Sequence, residues 1–179
     1  MKLYVIRHGE TECNLAGKYN CRFDEDINET GIEQAEKASE KVGKIDLDLI
    51  ICSPMKRTRH TCELVNVNKV PVIYDDRLME RIGGVLTNAP IEKEYYENEF
   101  YNYYSKNIPD GLETLPELFT RIHGFLDEIK VKYADKNILL VTHGAVSRSI
   151  EFYSKELPKD GNIINLSGQE NCEVKEYKI

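Results

Sequence analysis

The chain has 179 residues, 41% of them hydrophobic and 31% charged, which suits one soluble domain with a full hydrophobic core. The formal net charge of −7 argues against a nucleic-acid partner or an anionic membrane surface, and no apolar run approaches the ~20 residues of a membrane span. The five cysteines form no Cys-x-x-Cys pair and no secretory leader precedes the first apolar run, so we expect reduced thiols in the cytoplasm. The sequence leaves the oligomeric state open.

The first predicted strand is the apolar run at residues 3–6, which ends at the tripeptide Arg7-His8-Gly9. Such a run is typical of a strand buried on both faces, and open α/β sheets bind ligands at the carboxyl ends of these strands. A guanidinium placed there can hold a phosphoryl group through two parallel hydrogen bonds, and an imidazole beside it can attack phosphorus. On the tripeptide alone, a purely structural histidine remains the alternative.

A polar loop over 15–28 is expected to follow, with Arg22 inside it, and a helix comes next. Thr30 and Glu33 have the spacing of a capping box, which predicts Thr30 as the N-cap of that helix. Apolar residues then recur at helical spacing, and Gly43 predicts where the helix ends.

Two further strands are predicted, one over 47–52 and one over 70–74, whose proline favours a sheet edge. Between them, Ser53-Pro54 is typical of a helix start. It predicts Ser53 as the N-cap and Pro54 as the first helical residue. The helix that follows carries Arg57.

A glycine-rich loop contains Glu80, and an aromatic stretch follows at about 91–106. Within that stretch Tyr96, Phe100 and Tyr103 share one helical face, with glutamates between them. Packing is the favoured interpretation of such a stripe. A lid that contacts the substrate is the alternative, because periodicity alone does not separate the two.

A second apolar strand is predicted over 137–142, and it ends at His143-Gly144. This arrangement repeats that of the first strand, so we expect His8 and His143 at one edge of the sheet, within reach of a single bound phosphate. The remaining predicted elements are a helix over 116–133, a helix over 145–153 and two closing strands over 163–167 and 172–177.

Three stretches resemble the signatures of the histidine phosphatase superfamily, also called the phosphoglycerate mutase-like family. They are Arg7-His8-Gly9-Glu10-Thr11 with Asn14, the segment from Ser53-Pro54 to Arg57 and Thr61, and Val141-Thr142-His143-Gly144. The resemblance implies that His8 becomes a phosphohistidine and that Glu80 donates a proton. It further implies that phosphate is bound by Arg7, Asn14, Arg57 and His143. Substrate contacts are implied for Arg22 and Gly144.

The resemblance also implies a fold and an activity. The fold is a single three-layer α/β domain over 1–179, with a mainly parallel central sheet, helices on both faces and a variable helical insert at about 91–106. The activity is metal-independent hydrolysis of a phosphomonoester, without a cofactor and with a small phosphorylated metabolite as partner. Mutase activity is the less favoured outcome, because family mutases carry an Arg-Arg pair in the insert and this insert is acidic.

Two other classes of function stay open. Two histidines at strand ends could bind a metal, but the chain has no HxH or HExxH motif, and Arg7 and Arg57 would repel a dication. A non-catalytic module that binds phosphorylated ligands would need neither His8 nor Glu80. Phosphoryl transfer spreads charge over three oxygens and requires fixed positive donors, so the residue set favours an enzyme.

Overall fold

The computed structural model describes residues 1–166 and 168–179 and is built around a five-stranded sheet. The strands are β1 (Lys2–Arg7), β2 (Leu49–Cys52), β3 (Val72–Tyr74), β4 (Asn137–Thr142) and β5 (Val174–Lys178). Their order is β3-β2-β4-β1-β5, and β5 alone runs antiparallel to its neighbour. The mainly parallel sheet and the edge position of β3 are thereby confirmed.

Helices connect these strands. They are α1 (Glu12–Leu15), α2 (Glu29–Val42), α3 (Lys56–Val65), α4 (Lys93–Tyr95), α5 (Leu115–Lys132) and α6 (Gly144–Glu151). Short 3-10 turns occur at Asp76–Leu78 and Gly84–Leu86, and a π-helical turn at Tyr96–Phe100 continues α4. None of the helices in the described residues has the length and apolar character of a membrane span.

The helices cover both faces of the sheet, as the resemblance implied. Successive residues of a strand point to opposite faces. Leu3 and Val5 of β1 therefore pack in one cluster with residues of α5 and α6, whereas Ile6 packs in a second cluster with α2 and α3. These strand residues are fully buried, which explains why residues 3–6 of β1 form an apolar run and do not alternate with polar residues.

The predicted start of α2 was wrong by two residues. Asn28, not Thr30, is the N-cap, and its side-chain oxygen accepts a hydrogen bond of 2.9 Å from the amide of Gly31. Asn28 is held there by Glu10, whose carbonyl and carboxylate accept from its amide and side chain. A tertiary contact thus selects between two good capping residues. The predicted end at Gly43 is confirmed.

The predicted cap of α3 was also wrong. The helix begins at Lys56, with Met55 at the N-cap position and no side-chain cap, and Ser53 precedes it.

The first predicted closing strand was wrong as well, since residues 164–166 form a turn; Ser167 lies outside the described residues. Ile163 donates its amide to the carbonyl of Tyr101, so this segment pairs with the aromatic insert instead of the sheet.

The aromatic stretch after residue 90 packs on the core, as the favoured interpretation predicted. Phe100 and Tyr101 are buried, and the Tyr96 ring stacks on Phe100 with a centroid distance of 5.6 Å. The Tyr19 ring lies 4.7 Å from the Phe100 ring and 5.9 Å from the Tyr96 ring, so the three rings form one cluster. Aromatic contacts of this kind add to the stabilisation that burial provides.

Candidate active site

The carboxyl ends of β1 and β4 bring two histidines together. Arg7 is level with Thr142 in the parallel pairing of the two strands, so the residues that follow each strand emerge side by side. The rings of His8 and His143 have a centroid distance of 5.3 Å and meet edge to face. The expectation that both histidines lie at one edge of the sheet is confirmed.

Three buried side-chain nitrogens at this edge have no protein partner among the described residues. They are Arg7 Nε, Arg57 Nε and His143 Nδ1. The rest of each guanidinium is fixed by backbone carbonyls, because Arg7 donates to Gln169 at 2.9 Å and Arg57 donates to Cys21 and Phe23 at 2.7 and 2.8 Å. Buried donors are rarely left unpaired, so these groups define a site for an anion.

His8 is held with one nitrogen available for chemistry. Its Nδ1 lies 2.7 Å from the carbonyl of Gly9, and a carbonyl only accepts, so Nδ1 carries the proton and Nε2 has the lone pair. Burial lowers the pKa of His8 well below its ordinary value of 6.5, and the charges of Arg57 and Arg7 lower it further. His8 is therefore neutral at physiological pH, as a nucleophile must be.

His143 is fully buried and is also neutral. Burial, and next the charge of Arg57, lower its pKa well below the ordinary value of 6.5. Its Nε2 lies 2.8 Å from the Oγ of Ser53, the residue that the sequence assigned to a helix cap. The bond to His143 explains why Ser53 does not cap α3.

Glu80 reaches the same place from the loop after the first 3-10 turn. Its Oε2 accepts from the amide of Ala145 at 3.2 Å, and a Cβ built on Gly144 would lie 3.6 Å from Arg7 Nε and 3.8 Å from Glu80 Oε2. Arg7 and Glu80 therefore meet beside the first residue of α6. The Glu80 backbone is fixed by Arg22, whose Nε donates to its carbonyl at 2.9 Å.

Asn14 and Arg22 occupy different positions relative to the open cavity at this site. Asn14 lines the cavity together with Arg7 and Glu80, and its Oδ1 accepts from the Thr11 amide at the start of α1. Arg22 does not line this cavity, and neither do the buried residues His8, Arg57 and His143. The Arg22 side chain contacts the carbonyl of Glu80. Phosphate binding by Asn14 stays a prediction, and the geometry gives Arg22 a supporting position.

The opposite wall of the cavity comes from residues that the sequence signatures do not include. Tyr19, Tyr96, Phe100 and Tyr101 line it, and so does Arg148, which donates to the carbonyl of Ile164 and lies over the Tyr101 ring. The stripe in the aromatic insert was the one available signal for this wall. The rings that pack on the core therefore also line the cavity, so packing does not exclude contact with a substrate.

Residues 168–173 also support the site, and sequence analysis missed them. Gln169 accepts from Arg7 through its carbonyl and donates from Nε2 to the carbonyl of Val5. Asn171 donates to the carbonyl of His8 at 2.8 Å. These partners are more than 160 positions apart in the chain, and no local pattern marks them.

The fold and the site define a class of protein that handles phosphoryl groups, with two histidines, two arginines and a carboxylate at the carboxyl edge of a parallel sheet. In the described residues no group of three or more His, Cys, Asp or Glu side chains is placed to hold a metal ion. Residues 3–178 match the family model of the histidine phosphatase superfamily (branch 1), and the chain belongs to this family.

Relatives in the family include phosphatases and mutases. The chain is 35% identical over 147 residues to the uncharacterized phosphatase PhoE of Bacillus subtilis, which covers 82% of this chain and 73% of the relative. It is 33% identical over 151 residues to the probable phosphoglycerate mutase GpmB of Yersinia pestis, with 80% and 70% covered. The alpha-ribazole phosphatase structure from Shigella flexneri has the same fold, with a TM-score of 0.84 and 24% identity. The match covers 100% of this chain and 91% of that structure's chain.

Proposed function

We propose that the protein hydrolyses phosphomonoesters of small metabolites through a phosphohistidine at His8. The observation that carries the proposal is the set of three buried, unpartnered nitrogens, two of them guanidinium N–H donors, beside a neutral imidazole. A phosphoryl group has three oxygens for these donors and a phosphorus atom for His8 Nε2. A module that only binds phosphorylated ligands would not need a nucleophile with a free lone pair at this position.

The first chemical step follows from this geometry. His8 Nε2 attacks phosphorus while Gly9 keeps the proton on Nδ1, and the P–O bond to the leaving group breaks. The N–H groups of Arg7, Arg57 and His143 stabilise the charge on the equatorial oxygens. They are fixed before the substrate arrives, so the transition state does not require them to reorganise.

Glu80 supplies the proton chemistry in this proposal. A protonated Glu80 gives its proton to the leaving oxygen. Water then attacks the phosphohistidine while the Glu80 carboxylate takes a proton from that water, the P–N bond breaks, phosphate leaves, and the electron pair returns to His8 Nε2. The two amides that hold Glu80, those of Arg81 and Ala145, keep its oxygens beside Arg7. Arg22 supports this position through the Glu80 backbone.

Hydrolysis is favoured over mutase activity by the charge of the aromatic insert. Between residues 92 and 99 this segment has four glutamates, one lysine and no arginine. The segment therefore offers no arginine to pair with the carboxylate of a phosphorylated acid that must rebind for a second transfer, which disfavours that rebinding. All five cysteines are free thiols, which supports the proposal that the protein works in the cytoplasm.

A direct assay tests the proposed function. The purified protein is expected to release phosphate from p-nitrophenyl phosphate, with an unchanged rate after exhaustive dialysis against EDTA, because arginine and histidine supply the positive charge. A panel of phosphorylated metabolites then ranks substrates by kcat/KM. Loss of turnover on chelation that a divalent ion restores would contradict metal independence. Absence of hydrolysis with tight phosphate binding would support a binding module.

Glu80→Gln is expected to distinguish substrates by their leaving groups. An alkyl phosphate expels a strongly basic alkoxide, so loss of the general acid should slow its transfer to His8 by roughly 10²–10⁴-fold. Nitrophenolate leaves without a proton, so p-nitrophenyl phosphate should be affected much less in that step. Single-turnover measurements are needed, because Glu80 also acts in dephosphorylation. Equal losses for both substrates would mean that Glu80 only positions the substrate, and Glu10 or Asp76 would then be tested as the acid.

A further inference from the structure

Ser53 occupies a fixed position between the second strand and the active site. It follows the last residue of β2 and is completely buried. Its amide donates to the carbonyl of Val141 at 3.0 Å, and its own carbonyl accepts from the Thr58 hydroxyl at 2.9 Å. The main chain of Ser53 is thus tied to the neighbouring strand β4 and to α3, so the place of its hydroxyl is determined by the core of the fold.

The Ser53 hydroxyl does not cap the helix that follows it, which is the common role of a serine near a helix start. Helix α3 begins three residues later without a side-chain cap, and the Ser53 hydroxyl lies 2.8 Å from His143 Nε2. The second nitrogen of His143, Nδ1, is buried and has no partner in the described part of the chain. The two ring nitrogens therefore face different surroundings, one a hydroxyl and the other the anion site.

Counting hydrogens distinguishes the two neutral tautomers of His143. If Nε2 carried the hydrogen, it would donate to Ser53, the serine hydrogen would need another acceptor, and Nδ1 would present a lone pair to an anion. If Nδ1 carries the hydrogen, the Ser53 hydroxyl donates to Nε2 and only the Nδ1–H remains unpaired, which an anion would satisfy. Each unpaired buried polar group is destabilising, and the second arrangement leaves fewer of them, so it is the more stable one.

We propose that Ser53 is a positioning residue that holds His143 with its hydrogen on Nδ1, so that this nitrogen donates to a phosphoryl oxygen. The role of the anion rests on the proposed function, whereas the tautomer is a property of the free protein. Ser53 acts on the reaction through His143 and does not itself contact the phosphoryl group. Its effect parallels that of groups that orient the histidines of metal sites.

Nitrogen-15 NMR of the histidine side chains tests the tautomer without any turnover. The chain has four histidines, so single replacements assign the spectrum. The expected spectrum of the free wild-type protein shows a protonated Nδ1 and an unprotonated Nε2 for His143. Vanadate, used as the phosphoryl probe, should shift the Nδ1 resonance and leave Nε2 nearly in place. A protonated Nε2 in the free protein would overturn the proposal, even in an active phosphatase.

Ser53→Ala removes the donor and gives the kinetic test. We expect kcat/KM to fall by roughly 10–100-fold, the range seen when orienting partners of histidines are lost. The matched control is Ser149→Ala, which removes a completely buried hydroxyl that has no partner in the structure and should leave activity unchanged. In the Ser53→Ala spectrum, His143 should populate the tautomer with the hydrogen on Nε2.

A double-mutant cycle separates positioning from general stability. If Ser53 acts through His143, then Ser53→Ala should have no further effect on kcat/KM in a His143→Ala background. Independent losses that add in the double variant would overturn the proposal. If Ser53→Ala does not fold, the wild-type spectrum still decides the tautomer. An inactive protein with the expected spectrum would refute the proposed function while the role of Ser53 would stand.

Discussion

His8→Ala is expected to abolish turnover, with a loss of roughly 10⁵–10⁶-fold or more in kcat, because the nucleophile of a covalent mechanism has no substitute. The wild-type protein should in addition trap labelled phosphate in a form that is labile to acid and stable to alkali, as a phosphoramidate is.

The neutral state of His8 also sets the pH dependence. Since burial and the charges of Arg57 and Arg7 lower its pKa well below 6.5, protonation of His8 should not reduce activity near pH 6.

His60→Ala is the matched control for the His8 variant. His60 lies on α3 and pairs with Asp26 at 3.0 Å, with about a third of its side chain exposed. It therefore makes no contact that the proposed mechanism uses, and its replacement should leave kcat within a factor of a few. A His8→Ala protein with a near-normal rate, or a trapped phosphoenzyme with ester stability, would exclude covalent catalysis at His8.

Arg57→Ala is expected to have the second-largest effect on turnover. The variant should lose both catalytic rate and folding stability. Removal of one fixed donor to a charged transition state costs about 10²–10³-fold in kcat. The variant also leaves the carbonyls of Cys21 and Phe23 without their buried donor, at ~1–3 kcal/mol of unfolding free energy for each carbonyl that water does not reach. Arg57 is itself completely buried, so a cavity adds to the second loss.

Two measurements and two variants separate these losses. Denaturant unfolding reports the stability, and kcat/KM under conditions where the variant is fully folded reports the catalytic part. Arg57→Lys keeps the charge but not the planar fork, and we expect it to recover little activity. Arg59→Ala, an exposed neighbour on the same helix that lies over the Tyr74 ring, is the control and should preserve both quantities. Full activity in folded Arg57→Ala would remove Arg57 from the anion site.

The parts of the molecule that sequence predicts are those determined by local pattern. The central residues of β1 and β4 are apolar because both faces of the sheet are covered, and α5 has a buried stripe at helical spacing. For each of them the residues that decide the structure lie within a few positions of one another. The meeting of His8 with His143 follows from these two strands, because parallel neighbours share a carboxyl edge.

What sequence did not predict depends on contacts between distant segments. Ser53 and Thr30 both have the local pattern of a helix cap. Ser53 instead forms a hydrogen bond with His143. Thr30 is not the cap because Glu10 holds Asn28 at the N-cap position of α2. Gln169 supports Arg7 through its backbone carbonyl. Every residue type has such a carbonyl, so the identity of residue 169 does not predict this contact. Predictions from pattern fail here because the deciding partner is brought close only by the completed fold.

The strand order has a consequence for how the chain is made. A ribosome synthesises β1 first, yet the two strands that flank it in the sheet begin only at Asn137 and Val174. During most of translation the apolar residues of β1 have no partner strand, and unpaired edges of this kind promote aggregation. The nucleophile is thus present from the earliest stage of synthesis, but its pocket closes only after β4 and the segment around Asn171 have emerged. We therefore expect nascent chains that lack β4 and this segment to have no phosphatase activity.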